Sequence, residues 1–157
     1  MDWAEIIDNP YLQDLPFKVE QDRYGNILMS PVSNWHSELQ AEIAYLLRKL
    51  LDGGKALTEC SVATSEGVKS PDVAWASDAF LSVNRRSTPF ADAPEICVEV
   101  LSPSNSRAEM DEKRSLYFAA GAQEVWVCDK DGRIEFFSPT GSLTTSALAP
   151  DFPTQVV

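Results

Sequence analysis

The sequence predicts an α/β fold: a mixed β-sheet flanked by helices, with a β-hairpin at its N-terminal side. Three observations predict it. Short strand-like runs alternate with two segments of helical periodicity. Ile96-Cys97-Val98-Glu99-Val100-Leu101 is almost unbroken in its apolar character, the pattern of a strand covered on both faces. A helical segment separates that run from another, and a helix between two strands of one sheet makes a crossover and a parallel pair.

Taken in order, Phe17–Glu20 and Ile27–Met29 flank Gln21-Asp22-Arg23-Tyr24-Gly25-Asn26, a hairpin around a Gly-Asn turn. Leu39, Ile43, Leu46, Leu47 and Leu50 then recur at helical spacing. Ser33 or Asn34 can cap that helix, and Gly53-Gly54 stops it. Three strand-like runs follow, at Ala56–Ala63, Asp72–Ala76 and Ile96–Leu101, read as antiparallel neighbours. A second helix is predicted over Arg107–Ala120, with Ser106 and Glu109 as a capping box and Gly121 at its end. Glu124–Cys128 reads as a strand, and Asp129-Lys130-Asp131-Gly132 turns it into Arg133–Phe137. Ser142–Val157, with its two prolines, is assigned no structure.

The chain of 157 residues, 44% hydrophobic, is expected to form a single domain over 1–157. No stretch approaches the ~20 apolar residues of a membrane span, so no membrane partner is expected. The acidic start Met1-Asp2-Trp3-Ala4-Glu5 lacks the layout of a signal peptide, which predicts a cytoplasmic protein. Cys60, Cys97 and Cys128 fit no zinc spacing and are expected as reduced, buried thiols. A single histidine, His36, removes histidine-rich metal sites and paired-histidine chemistry. Any chemistry must rest on carboxylates, lysine and metal.

Glu99 interrupts the apolar run, where a carboxylate is costly unless protonated, paired or bound to a cation. The alternative is a strand-end glutamate that reaches water, because Ser102-Pro103-Ser104 closes the strand. Asp72, after Pro71, begins the preceding strand, and antiparallel pairing would bring it beside Glu99. Paired oxygen ligands with room for waters suit Mg²⁺ or Mn²⁺. Pro-Asp is, however, also a common turn dipeptide. Lys113 falls within the apolar stripe of Met110, Leu116, Tyr117 and Ala120, so it must snorkel outward or meet an anion.

Pro71-Asp72, Glu99-Val100-Leu101-Ser102-Pro103-Ser104, Glu112-Lys113, Tyr117, Gly121 and Glu124–Asp129 together resemble a bacterial family of restriction endonucleases, the Uma2 type. That family lies in the PD-(D/E)XK restriction-endonuclease-like superfamily. Val19-Glu20, Gly25-Asn26-Ile27-Leu28, Ser30-Pro31 and His36 resemble its opening, and the likeness spans about residues 15–138. The resemblance implies a restriction-endonuclease-like core and a metal-dependent endonuclease acting on nucleic acid, with DNA the expected substrate. It implies Mg²⁺ or Mn²⁺ held by Asp72, Glu99 and the carbonyl of Val100, with Lys113 as the third catalytic residue. The superfamily's lysine usually stands two residues after the glutamate, where this chain has Leu101, so Lys113 implies a lysine moved onto the helix. The family's aspartate four residues before that lysine is Glu109 here. Related nucleases often pair, which implies a homodimer.

Glu42 and Glu20 are further candidate metal ligands, each also readable as a solvated flank. His36 is expected to pack or cap, with a role as a base the alternative, and Tyr117 and Trp126 to lie in the core. Ser102 and Ser104 are expected to shape the turn and cap the helix. Lys69, Arg85, Arg86 and Arg107 border the proposed site and could touch phosphates, or serve as solvated loop charges. A net charge of −11 favours a second reading, a nuclease-fold binding or accessory module with a weak or inactive site.

Overall fold

The structure is a computed structural model that describes residues 1–157. Helix α1 (Trp3–Asp8), held by a reciprocal Asp2–Glu5 capping box, was not expected from the sequence. The hairpin strands are β1 (Phe17–Gln21) and β2 (Ile27–Pro31), in antiparallel register from Phe17↔Pro31 to Gln21↔Ile27. Its loop is cinched by the Asp22 carboxylate, which accepts from the N–H groups of Tyr24 and Asn26.

Helix α2 (Asn34–Leu50) is capped by Ser33, and His36, Leu39, Ile43 and Leu47 form its buried stripe. The expected strand Ala56–Ala63 is in fact two: β3 (Lys55–Thr58) and β4 (Val62–Thr64), which belong to different sheets. Glu59, at φ 55°, lies in the left-handed region between them and turns the chain out of one sheet and toward the other. Strand β5 (Gly67–Lys69) pairs with β4 and with the end of β1. A Cβ at Gly67 would collide with the backbone oxygen of Gln21, so only glycine lets β5 lie this close to β1.

Strand β6 (Val73–Ala76) is followed by a short helix α3 (Asp78–Asn84), which the periodicity reading does not reveal. Next come β7 (Ile96–Val100), α4 (Arg107–Ala119), β8 (Glu124–Cys128), β9 (Ile134–Ser138) and β10 (Gly141–Leu143). Ser106 caps α4 by accepting from the Glu109 N–H, but the Glu109 carboxylate meets Asn105 instead, so only half of the expected box forms. Gly121, at φ 110°, ends α4.

Two sheets result. One has the order β2-β1-β5-β4, and the other, mixed, has the order β10-β9-β8-β7-β6-β3. Within the second, β7 and β8 are the parallel pair joined by α4, as the sequence predicts, and β6 is antiparallel to β7. Leu39, Ile43 and Leu47 of α2 pack with Val73, Ile96, Val98, Val100, Trp126 and Phe136 on one face of this sheet. Cys97 and Val125 pack with Tyr117 of α4 and with Val62. The sheet is therefore covered on both faces, which accounts for the apolar run of β7.

The C-terminal stretch wraps back over the core through Ala149, Phe152 and Val156. Buried Glu124 anchors it by accepting from Ser146 Oγ and the N–H groups of Ala147 and Leu148, as well as from Trp126 Nε1. All three cysteines are free thiols.

Candidate active site

The register of β6 on β7, Val73↔Val98, continues by one residue to set Asp72 opposite Glu99. Both side chains are buried, at 1% and 2% exposure, at the strand ends where α2, β1 and α4 also converge. The stripe position of Lys113 on α4 carries its ammonium down to the sheet, where Nζ lies 3.3 Å from Glu99 Oε1. The structure thus brings Asp72, Glu99 and Lys113 into one cluster.

Strand β1 completes it. Lys18 Nζ stands between the two carboxylates, 3.1 Å from Asp72 Oδ1 and 3.2 Å from Glu99 Oε2. Glu20, on the same face two residues on, holds Lys113 at 3.0 Å and accepts from the Ser70 N–H at 2.7 Å. Tyr117 donates its hydroxyl to Glu99 Oε1 at 2.7 Å. Asp72 Oδ2 accepts from the Val100 N–H at 2.7 Å and lies 3.4 Å from His36 Nε2. A cleft of about 30 Å³, bordered by Ser30, His36, Ser102 and Asn105 as well as the charged residues, opens onto this network. It holds roughly one or two waters.

The electrostatics separate the two carboxylates. Burial works to raise Asp72, but the hydrogen bond with His36, the charge of Lys18 and the Val100 N–H outweigh it and leave that carboxyl below its usual range. Burial raises Glu99 above its ordinary value despite the charges of Lys113 and Lys18, with Asp72 and Glu20 adding to the rise. Lys18 is pulled down by burial, yet Glu99, Asp72 and Glu20 hold it above the ordinary lysine value. The hydrogen bond to Asp72 raises His36, against its burial. Burial, then the negative charge of Glu99, keeps Tyr117 protonated and a donor.

A family profile described as "Uma2: Putative restriction endonuclease" matches residues 11–154. The chain belongs to the Uma2 family. The structure is also similar to a crystal structure described as "a putative nuclease belonging to DUF820" from Anabaena variabilis. That likeness has a TM-score of 0.71 at 16% identity, covering 88% of this chain and 87% of the other. It shows that the two share a fold. No curated protein sequence matches the chain.

Against this Uma2 framework, the other residues expected near the site divide. Glu20 joins the network, through Lys113. Glu42 stays half-buried on α2 and takes no part in the network. Arg85, Arg86 and Arg107 are exposed, whereas Lys69 is buried. Ser102 shapes the turn after β7 with Asn105 and Ser104, and the cap of α4 is Ser106 alone. Trp126 is core, as expected. Tyr117 and His36 do more than pack, since each reaches one of the two carboxylates.

Lys18 belongs to the cluster although its place in the sequence does not single it out. Phe17 and Val19 are the apolar side of β1, so alternation points Lys18 and Glu20 toward water. Val19 instead packs with the small cluster of Trp3, Ile6 and Val68 beside α1, and the charged face turns inward. The only signal was two opposite charges on one strand face.

For Mg²⁺ or Mn²⁺ the donors fit in kind: Asp72 and Glu99 each aim one oxygen at a common point already held by a cation, the Lys18 ammonium. No third carboxylate, imidazole or thiolate joins them around that point. Carbonyl oxygen and water would have to complete an ion's shell.

Proposed function

We propose that this protein is a metal-dependent endonuclease that hydrolyses phosphodiester bonds in DNA. The observation that carries the reading is the convergence of two strand-borne carboxylates, Asp72 and Glu99, with Lys113 at the mouth of one cleft. Membership of the Uma2 family and the fold shared with the Anabaena variabilis protein support the same chemistry. Asp72, Glu99 and the Val100 carbonyl would hold Mg²⁺ or Mn²⁺, which supplies charge for the phosphate and lowers the pKa of water. Asp72, kept ionised by its neighbours, provides the more permanent negative oxygen. Glu99 is oriented by Tyr117 and Lys113. Lys113, tethered by Glu20, is positioned to steady negative charge developing on the phosphate.

Purified protein with Mg²⁺ or Mn²⁺ should nick or cut plasmid DNA, and Asp72→Ala should abolish the cutting. An Asp72→Ala protein that cuts as well as the parent sinks the proposal.

A second reading, a binding or accessory module with a silent site, is favoured by one observation. The carboxylates are already satisfied within the chain by Lys18, in a protein of net charge −11. Calorimetry with Mn²⁺ separates the two: absence of a binding site sensitive to Glu99→Gln selects the module.

A further inference from the structure

Lys18 stands where a metal bridging Asp72 and Glu99 would have to stand. Its ammonium is 3.1 and 3.2 Å from one oxygen of each, and its side chain is 8% exposed. The neighbouring cleft, about 30 Å³, leaves room for one or two waters beside the ammonium. A dication added with Lys18 in place would set two cations a few ångströms apart against the same two oxygens, a strong repulsion at low local dielectric.

Lys18 also lines a second, larger cavity of about 260 Å³, together with Trp3, Ile6 and Ile7 of α1. Glu59, Ser61, Ser70 and Gln13 line that cavity, so it offers polar partners, one of them anionic, for an ammonium. Four rotatable bonds let a lysine swing between two such positions while its Cα stays fixed.

We propose that Lys18 is a displaceable internal cation: it neutralises Asp72 and Glu99 in the resting protein, and a divalent ion binds only by driving it toward the second cavity. This rests on the metal-site reading above. Displacement makes the binding-competent state a minor population, so the apparent metal affinity is lowered by that fraction. It also selects for charge. A monovalent ion gains no Coulombic advantage over the tethered ammonium, whereas a divalent ion does.

The test combines Mn²⁺ calorimetry on wild type, Lys18→Met and Glu99→Gln with reductive methylation of wild type, read at Lys18 by peptide mass mapping. Lys18→Met should bind Mn²⁺ about tenfold or more tightly than wild type, because no population must be shifted first. In wild type, Lys18 should resist methylation without metal and become reactive when Mn²⁺ saturates the site. Binding by Lys18→Met alone is the extreme form of the same support. If wild type binds Mn²⁺ at a site lost in Glu99→Gln while Lys18 stays protected, the inference is overturned and the metal reading stands. Equal or weaker binding by a folded Lys18→Met has the same meaning. If neither protein binds Mn²⁺, the metal reading falls and the inference falls with it. Should Lys18→Met not fold, the labelling of wild type decides alone.

Discussion

Replacing Lys113 by methionine tests the charge balance of the cluster most directly. Three carboxylates, Asp72, Glu99 and Glu20, face two ammonium groups, Lys18 and Lys113, with His36 beside Asp72. Lys113→Met keeps the apolar stem but leaves Glu20 without its cation and Glu99 with only Lys18. Stripping one partner from a buried pair costs about 3–5 kcal/mol, and the 16% exposure of the Lys113 side chain points to the lower end. Glu99→Gln acts in the opposite sense: two carboxylates then face two lysines, Lys18 keeps Asp72 and Lys113 keeps Glu20. The amide oxygen can still accept from Tyr117 while its NH₂ faces the Lys18 ammonium, so the loss should be about 1–2 kcal/mol, below that of Lys113→Met.

The pH dependence has a definite sign. Lys113 is the strongest of the charges that hold Glu99 down, so its removal lifts a carboxyl already raised by burial. An acid whose folded pKa lies above its unfolded value keeps its full stability below the unfolded pKa, about 4.3, and loses it as pH rises through the folded pKa. The Lys113→Met deficit should therefore be small near pH 5 and grow toward pH 8. Urea unfolding with chelator present, at both pH values, measures it. A deficit of equal size at both, or a Glu99→Gln protein less stable than Lys113→Met, would show that the charge balance of the cluster does not set its stability.

The folded pKa of His36 is raised, so its contribution is present below about pH 6.5 and is lost as pH rises through the folded pKa; His36→Gln should lower the melting temperature more near pH 5.5 than near pH 8.5. Equal shifts at the two values would show that the imidazole's charge does not matter. Glu124→Gln should destabilise by about 2–4 kcal/mol, because a buried carboxylate with four donors becomes an amide that must turn its NH₂ toward one of them. Folded Glu124→Gln should still bind Mn²⁺ as wild type does in calorimetry, since Glu124 makes no contact with the cluster. A change in that affinity would tie the C-terminal wrap to the site.

Much of the frame was legible because the two main helices and the central strands carry strong periodic signals. The stripe of Leu39, Ile43 and Leu47, the apolar run of β7 and the crossover to β8 all appear as the residues suggest. Short elements were not legible. α1 and α3 are too brief for a repeating stripe, and the break at Glu59 is a backbone conformation that a glutamate does not announce. In the site, Glu99 and Lys113 stood out because each puts a charge where burial would penalise it, and Asp72 because antiparallel pairing sets it beside Glu99. Lys18, His36 and Tyr117 did not, since each fits an ordinary strand face, helix start or core.

By itself the sequence determined the α/β frame, the antiparallel approach of Asp72 to Glu99 and the inward aim of Lys113. These depend on side-chain periodicity along single elements and on the pairing of neighbouring strands. Only the tertiary structure decided which face of β1 turns inward. That choice depends on how α1 and β5 pack against the hairpin, a balance of contacts distant in the chain. It places Lys18 between the two carboxylates and Glu20 against Lys113. It thereby turns a pair of acidic residues into a nearly neutralised cluster.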